Sequence, residues 1–318
     1  MDSRRKFLKQ TGALALAGLV WPQLSHAESN SGSGRNWPFG LQLYTMGDLM
    51  VNDPKGTLKS LASIGFKELE SAGSMKGNYY GFKPKELTGM IRDAGMHWRS
   101  AHVSGAPFSP EQIMKMAKTA EDSVRIQGFL ARFKDMPKSA NLKENYQQLA
   151  DEAAEGGLSY LVCASIPVST MDEIKTAVDV FSKAGEACKK NGVQFAYHNH
   201  TTEFDMVEGH RPFDYILSNT DKDQVKMELD LAWATKSGQD PVKLFAEHAG
   251  RFPLWHVKDL DSNSKEPIEI GNGFINFKPI FANAGKSGLK YFFIEQDGAK
   301  KPLESVTISY QNLKKVLS

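Results

Sequence analysis

Polar side chains recur two positions apart in this sequence, each time near the end of a short apolar run. The seven pairs are Gln42/Tyr44, Glu68/Glu70, Ser100/His102, His198/His200, Glu228/Asp230, His256/Lys258 and Glu295/Asp297. Residues two apart on a β-strand project from the same face. A buried ionisable group is costly unless it is paired or binds a metal. A ring of such pairs therefore predicts a functional site.

Imidazoles and carboxylates predominate in the pairs nearest the C-terminus. His198, Asp230, His256 and Glu295 come from four successive apolar runs. This mixture suits a divalent transition metal such as Mn, Fe, Co or Zn, and does not suit calcium, which takes oxygen ligands. We expect these four residues to hold one metal ion, with His200 as the alternative to His198. Taken singly, His256 could be a hydrogen-bonded core histidine and Asp230 a helix cap.

Eight short β-rich runs can position these pairs, and helical patterns separate most of them. The runs are Phe39–Met46, Phe66–Ser71, His97–Val103, Leu158–Ile166, Val193–His200, Val225–Trp233, Phe252–Leu260 and Leu289–Asp297. Alternating strands and helices imply a parallel sheet with right-handed crossovers. Eight such units predict an α/β fold, the (β/α)8 TIM barrel, whose enzymes place their chemistry at the C-terminal ends of the strands. An open doubly wound sheet would show an early glycine-rich turn, and the sequence has none.

The third crossover is longer than the others. Residues 104–157 contain three helical patterns, Glu111–Lys118, Ser123–Phe133 and Asn141–Glu155. We interpret this segment as an elaborated third βα crossover, either a lid over the site or an added packing element.

The N-terminus predicts export. Ser3–Lys9 contains the twin arginines Arg4 and Arg5, and the apolar run Thr11–Trp21 that follows is shorter than the roughly 20 residues needed to span a bilayer. We expect cleavage after Ala27, which makes the protein a periplasmic client of the twin-arginine translocation machinery without a stable membrane anchor. The expected organisation is a signal peptide over residues 1–27, a linker over 28–36 and the barrel over 37–318.

Charge and cysteine content narrow the function further. Without the first 27 residues the chain has 35 basic and 36 acidic residues, which argues against a nucleic-acid partner. Cys163 and Cys188 are too few for a disulfide framework, so we expect two buried free thiols.

Several of these segments resemble the sugar phosphate isomerase/epimerase family, which has the xylose-isomerase-like barrel. The resemblance covers nearly all of the expected mature chain and is carried by Gly40–Tyr44, Ile64–Glu70, Tyr197–Phe204, Glu228–Trp233, His256–Asp259 and Ile294–Asp297. It implies a divalent metal held by Glu, Asp, His and Glu from the last four strands, with the two glutamates moving protons beside a carbonyl. Asp230, His256 and Glu295 carry over. The first glutamate is replaced by His198, so the symmetrical two-glutamate mechanism does not carry over unchanged.

A metal-stabilised enediolate is the reaction intermediate that this resemblance implies. Glu295 is the candidate base, and His102, His200 or Glu203 is the candidate proton donor or acceptor on the other side. Lys258 would hold a substrate oxygen or neutralise the acidic cluster. Glu203 could instead cap the following loop.

The substrate is expected to be a small sugar or glycoside. Export and the lack of a phosphate cradle favour a non-phosphorylated, keto sugar. The candidate substrate-binding residues are Gln42, Tyr44, Glu70, Tyr80 and Trp233, although core packing is the simpler role for Trp233, and Glu70 could pair with Lys258.

Three functions remain open at this point. Reprotonation of the enediolate gives an isomerase or epimerase, whereas loss of a β-leaving group gives a 3-keto-glycoside lyase or a sugar dehydratase. A carbohydrate-binding protein that holds a metal without catalysis is the third. An endonuclease is more distant, because the charge balance and export argue against it.

Overall fold

Eight parallel strands close into a barrel in which neighbours in the ring are also neighbours along the chain. The computed structural model describes residues 37–107 and 139–318, and between them residues 109, 110, 114, 123, 124, 127, 128, 130 and 131. The barrel strands are β1 Gly40–Gln42, β2 Glu68–Ser71, β3 His97–Ser104, β4 Tyr160–Ser165, β5 Gln194–His198, β6 Val225–Asp230, β7 Leu254–Val257 and β10 Tyr291–Ile294. Strands β8 Asp259–Leu260 and β9 Pro267–Ile268 form a separate antiparallel ribbon. The predicted (β/α)8 fold is confirmed.

Helices alternate with the strands. In the described residues the α-helices are α1 Asp48–Asn52, α2 Pro54–Ile64, α3 Pro84–Asp93, α4 Leu142–Glu155, α5 Met171–Lys190, α6 Pro212–Asn219, α7 Leu231–Lys236, α8 Pro241–Glu247, α9 Phe277–Ala282, α10 Ala284–Ser287 and α11 Pro302–Leu317. Asp53, Asn141 and Thr170 each accept a backbone N–H of the helix that follows, which satisfies donors that have no partner inside the helix. These are the start signals that the sequence displays.

Three parts of the sequence prediction need correction or lie outside the described residues. The first run ends as a strand at Gln42, and Leu43–Met46 forms a 3-10 turn, so Tyr44 is not the strand partner of Gln42. The sixth run ends at Asp230, and Trp233 lies in α7. In the third crossover α4 confirms the predicted Asn141–Glu155 helix, whereas most of the other two predicted helices lie outside the described residues, as do residues 1–36.

Two apolar regions support the barrel. The larger one fills the space around the strands, with Leu69, Phe195 and Trp255 among its fully buried members. A smaller one is centred on Val162 and Phe293 and includes Ala196 and Leu254. At Gly40, where β1 meets β10, a side-chain carbon would lie 2.3 Å from the Phe292 carbonyl oxygen, so closure of the ring requires glycine there.

The two cysteines, Cys163 and Cys188, are both buried and free, as expected. Burial raises the pKa of Cys188 to about 12 and the pKa of Cys163 further. Within the described ranges, no helix combines the length and apolar character that a membrane span requires.

Candidate metal centre

Three of the four predicted metal ligands lie together at the C-terminal ends of the last three barrel strands. Asp230, His256 and Glu295 each offer one donor atom, and the three atoms lie within 4.8 Å of one another. His256 Nδ1 is 2.5 Å from Glu295 Oε2 and 3.9 Å from Asp230 Oδ2. All three residues are buried. We call them the ligand trio.

Asp230 is held by the start of the helix that follows it. Its Oδ1 accepts the backbone N–H groups of Ala232 and Trp233 at 2.9 Å each, so the residue ends β6 and caps α7. The backbone N–H of Asp230 donates to Asn199 Oδ1 at 3.1 Å, which ties β6 to the end of β5. These bonds leave Asp230 Oδ2 as the oxygen that faces His256. Asp230 can therefore be both a helix cap and a metal ligand.

His198 borders the trio without being part of that group. Its Nε2 lies 3.8 Å from Asp230 Oδ2, and its Nδ1 lies 3.2 Å from Glu228 Oε2. His198 belongs instead to a second group of close donor atoms, which it forms with His102, Glu228 and His256. His200, the alternative ligand, is half-buried, and its ring centroid is 4.9 Å from that of His198. Neither of the two groups found in the described residues includes it.

A deep layer of carboxylates and imidazoles lies next to the trio. We define it as Glu70, His102 and Glu228; Glu228 precedes Asp230 by two positions on β6. Glu70 Oε1 lies 2.6 Å from His256 Nε2, and Glu228 Oε2 lies 2.6 Å from His102 Nε2. A proton on His256 Nε2, the nitrogen that faces Glu70, would leave the lone pair of His256 Nδ1 available to a metal at the trio.

Burial dominates the electrostatics of this deep layer. It raises the pKa of Glu228 to about 7 and, together with the neighbouring Glu228, raises the pKa of Glu70. Burial also lowers the pKa of His102 to about 4, so this imidazole is neutral at pH 7. Desolvation always disfavours the charged form of a group. The deep layer therefore carries less negative charge than its two carboxyl groups suggest.

Lys258 is a buried cation beside the trio. Its Nζ lies 3.0 Å from Asp230 Oδ2, 2.9 Å from Glu295 Oε2 and 2.8 Å from Asp297 Oδ2. Burial alone would lower the pKa of Lys258, but the three carboxylates raise it well above its ordinary value. Burial would likewise raise the pKa of Glu295, and Lys258 and His256 lower it well below the usual range.

The chemistry of the trio fits a divalent transition metal. Ligand atoms at 2.0–2.2 Å from a tetrahedral ion are about 3.4 Å apart. In the structure, His256 Nδ1 lies 2.5 Å from Glu295 Oε2 and 3.9 Å from Asp230 Oδ2, and His198 Nε2 lies 3.8 Å from Asp230 Oδ2, so the separations bracket this value. In the described part of the chain, Asp230 Oδ2, His256 Nδ1 and Glu295 Oε2 are buried atoms without a well-directed hydrogen bond. A mixed nitrogen and oxygen set suits Mn, Fe, Co or Zn.

Glu203 is already engaged by its own loop. Its Oε1 accepts the Tyr197 hydroxyl at 2.6 Å, and its Oε2 accepts the His200 backbone N–H at 2.8 Å and the Thr202 hydroxyl at 3.2 Å. This is the loop-capping arrangement that the sequence left open. The imidazole of His102, by contrast, is stacked against the ring of His256 at 5.1 Å between centroids.

The candidate substrate residues occupy different positions around the trio. Tyr44 is 53% exposed, and its pKa is raised by burial of the hydroxyl and by the charges of Asp297 and Glu295. Lys258 Nζ lies 5.1 Å from the centre of the Trp233 ring, and Lys236 Nζ lies 5.2 Å from it. Both observations place an aromatic surface next to the trio.

Gln42, Glu70 and Tyr80, three of the predicted substrate-binding residues, are buried. Gln42 donates from Nε2 to Glu70 Oε1 at 2.7 Å, and Ser100 donates to Glu70 Oε2 at 2.5 Å. Tyr80 is 3% exposed, and burial raises its pKa above the usual range. Tyr79, its neighbour, packs edge-on against Trp98 in the core.

Sequence reasoning did not assign a role to Glu228, Asn199 or Asp297. Glu228 and Asp297 both belong to the same-face pairs, which was the available signal. Asn199 lies between the two histidines of the β5 end and carries no comparable signal, because its partner, the Asp230 backbone, is 31 residues away.

Comparison with known proteins places these features among related barrels. Residues 58–315 match the family model described as the xylose isomerase-like TIM barrel. An inosose dehydratase of Lacticaseibacillus casei is 27% identical over 168 residues, which are 46% of this chain and 56% of that protein, so the chain spans about half the length of this relative. An inosose dehydratase of Clostridium perfringens is 22% identical over 268 residues, 78% of this chain and 84% of that protein.

Among solved structures, a sugar phosphate isomerase/epimerase from Parabacteroides distasonis superimposes with a TM-score of 0.70. It is 29% identical in sequence, and the match covers 89% of this chain and 95% of that one.

Proposed function

Because this chain belongs to the family of xylose isomerase-like TIM barrels, we propose that it is a divalent-metal-dependent enzyme acting on a non-phosphorylated keto sugar, glycoside or cyclic polyol ketone. The observation that carries the proposal is the ligand trio, Asp230, His256 and Glu295, with the ammonium of Lys258 beside it. The inosose dehydratase relatives and the isomerase/epimerase structure support chemistry next to a carbonyl group.

The first step is removal of the proton from the carbon next to the carbonyl. Asp230 Oδ2, His256 Nδ1 and Glu295 Oε2 would hold the metal, with His198 Nε2 as the adjacent donor. The bound metal supplies Lewis-acid stabilisation of the charge that develops on the carbonyl oxygen. Glu295 accepts the proton, and the electron pair of the broken C–H bond forms the new C=C bond.

Elimination is the second step that we propose. Epimerisation needs a second base on the opposite side, and Glu70, Glu228, Glu203 and His102 are each held by hydrogen bonds to other side chains, so of the predicted candidates His200 would have to serve. A leaving hydroxyl needs only a proton donor, and the Lys258 ammonium lies beside the trio, where it donates a hydrogen bond to Asp297 Oδ2 at 2.8 Å. The β-C–O bond breaks, the oxygen leaves with the electron pair and takes this proton, and water departs. Exchange with solvent then removes the proton from Glu295 and restores the ammonium of Lys258.

Charge pairing supports a substrate without phosphate. Lys258 and Lys236 lie next to the Trp233 ring, and both are paired with carboxylates. A phosphate group would have to break these pairs to find a positive partner, whereas hydroxyl groups and a sugar ring face require none. An aromatic ring beside the trio suits the apolar face of a sugar.

Proton exchange in heavy water tests the proposal. Metal-loaded protein would be incubated with inosose, 3-keto-glycosides and free ketoses, and the α-carbon would be followed by NMR and mass spectrometry. We expect deuterium at the α-carbon and loss of water, or of an alcohol from a glycoside. Deuterium exchange that yields only isomers of the substrate, without loss of water or alcohol, would assign an isomerase or epimerase.

A metal-loaded protein that binds sugars and exchanges no proton in the whole panel would overturn the enzymatic proposal in favour of a carbohydrate-binding protein. Asp230→Ala and His256→Ala provide the matched variants. Each should lose both the bound metal and the exchange, and retention of full metal content in both would refute the assignment of the trio.

A further inference from the structure

We propose that Lys258 is a built-in competitor of the metal: its ammonium neutralises Asp230 and Glu295 while the metal is absent, and moves onto Asp297 and the face of Trp233 when the metal binds. The inference rests on the proposed function, because it concerns the same ligand trio. It adds a residue that sets the affinity of the protein for its metal.

The ammonium and a bound metal would share two oxygen atoms. Lys258 Nζ lies 3.0 Å from Asp230 Oδ2 and 2.9 Å from Glu295 Oε2, which are two of the three trio atoms. With metal–oxygen bonds of 2.0–2.2 Å, an ion on these oxygens would lie within about 5 Å of Nζ. Two positive charges at that distance repel each other strongly in a buried site, because solvent screens them little.

A second set of partners is ready to receive the ammonium. Lys258 donates its well-directed hydrogen bond to Asp297 Oδ2, at 2.8 Å, and not to Asp230 or Glu295. Its Nζ also lies 5.1 Å from the centre of the Trp233 ring, which attracts a cation through its electron-rich face. Asp297 is more exposed than the trio, with 33% of its side chain accessible. The ammonium can therefore give up two oxygens without losing its hydrogen bond.

Lys258 compensates buried negative charge in the metal-free protein. Asp230 and Glu295 are buried carboxylates, and removal of the Lys258 ammonium would leave them less well compensated. The lysine thus stabilises the metal-free protein, and the metal must displace it. Removing the lysine should have opposite effects on the two states, since the metal-free form loses a cation and the metal-bound form loses a repulsion.

Lys258→Met tests this directly, because methionine fills similar space without a charge. We expect the dissociation constant for Mn²⁺, measured by competition with a chelator and by EPR of the free ion, to fall at least tenfold. The melting temperature of the metal-free variant should drop by about 5–10 °C and recover with Mn²⁺. If the metal-free variant does not fold, the variant purified with Mn²⁺ should release it to EDTA at least tenfold more slowly than the wild type.

Lys236→Met is the matched control. Lys236 lies at a similar distance from the Trp233 ring but pairs with Glu266, outside the trio. The Mn²⁺ affinity of the Lys236→Met variant should therefore stay within twofold of that of the wild type. Asp297→Asn removes the receiving carboxylate and should weaken Mn²⁺ binding in the wild type, and much less in the Lys258→Met background, because the effect acts through the lysine.

The outcomes separate this inference from the proposed function. Wild-type protein that binds Mn²⁺, together with a Lys258→Met variant that binds it equally well or more weakly, would overturn the competitor role and leave the metal site intact. If neither protein binds Mn²⁺ or any other divalent transition metal, both the metal-dependent function and this inference fail.

Discussion

At the scale of single residues, the two nitrogens of His256 have different tasks. Nε2 lies 2.6 Å from Glu70 Oε1, which holds the ring in place, and Nδ1 faces Glu295, where it could bind a metal once it has no proton. A carboxylate behind a ligand histidine commonly sets its tautomer and raises its basicity. We therefore expect Glu70 to position His256 for the ligand trio, and its contact with substrate stays a prediction.

Glu70→Gln should weaken metal binding by about 10- to 100-fold, which is the usual effect of losing such a partner. The amide keeps the shape of the side chain and can still accept one hydrogen bond. It removes the negative charge behind His256 and cannot accept hydrogen bonds at both ends, as Glu70 does from Gln42 and Ser100. The measurement is the Mn²⁺ dissociation constant by chelator competition.

Glu68→Gln is the matched control for this prediction. Glu68 lies on the same strand and is also buried, but it pairs with Arg99, and neither group of candidate metal ligands in the described residues includes it. Its replacement should lower stability and leave the dissociation constant unchanged. Equal loss of metal affinity in both variants would mean that Glu70 acts through general destabilisation.

Residue types and spacing were sufficient to place Asp230, His256 and Glu295 at one site. They were not sufficient for the contacts between them, because the hydrogen bond from His256 to Glu70 joins residues 186 positions apart. Lys258 illustrates the same limit. Its same-face relation to His256 was visible, but its contact with three carboxylates depends on the closure of the ring.

At the scale of elements, the strand ends determine where the site lies. The apolar runs predicted all eight barrel strands, yet several runs extend beyond the observed strands at their C-terminal ends. At Asp230 the reason is visible, since its Oδ1 accepts two backbone N–H groups and starts α7 within the predicted run. A side chain that caps the next helix competes with strand continuation, and hydrophobicity alone does not report this.

The loop after β5 gives a prediction about Glu203 at this scale. Glu203→Ala would leave the buried Tyr197 hydroxyl and the His200 N–H without their acceptor. We expect the free energy of unfolding to fall by about 2–4 kcal/mol, since a buried donor left without a partner costs about 1–3 kcal/mol. Urea denaturation of the metal-loaded protein measures this change.

The α-proton exchange rate of the folded Glu203→Ala variant shows whether Glu203 only holds the loop after β5 or acts as a catalytic acid or base. If Glu203 only holds the loop, the substitution should change the exchange rate per bound metal by less than tenfold. A loss of about 10²–10⁴-fold is typical of a general acid or base, and would show that Glu203 takes part in proton transfer. Tyr197→Phe, which removes one of the bonds, should show a smaller loss of stability and no loss of rate.

At the scale of the whole molecule, the alternation of strands and helices was the most predictable feature. Each unit depends on local signals, an apolar run and a helical pattern, and eight of them form a closed parallel ring. The third crossover shows where local signals stop being informative: α4 was predictable from Asn141 and its pattern. The function of the segment before it depends on what it contacts, which the sequence does not encode locally.

Export is the last prediction at this scale, and we propose that the chain leaves the cytoplasm by the twin-arginine route after folding. The ligand trio is buried, so a metal loaded in the cytoplasm would exchange slowly and stay with the exported protein. In a bacterium with this machinery, the wild type should reach the periplasm with a mass that shows cleavage after Ala27. The Arg4→Lys, Arg5→Lys double variant should remain in the cytoplasm uncleaved, with the same metal content. Equal export of both proteins would contradict the route, and a different metal in the exported wild type would contradict loading before export.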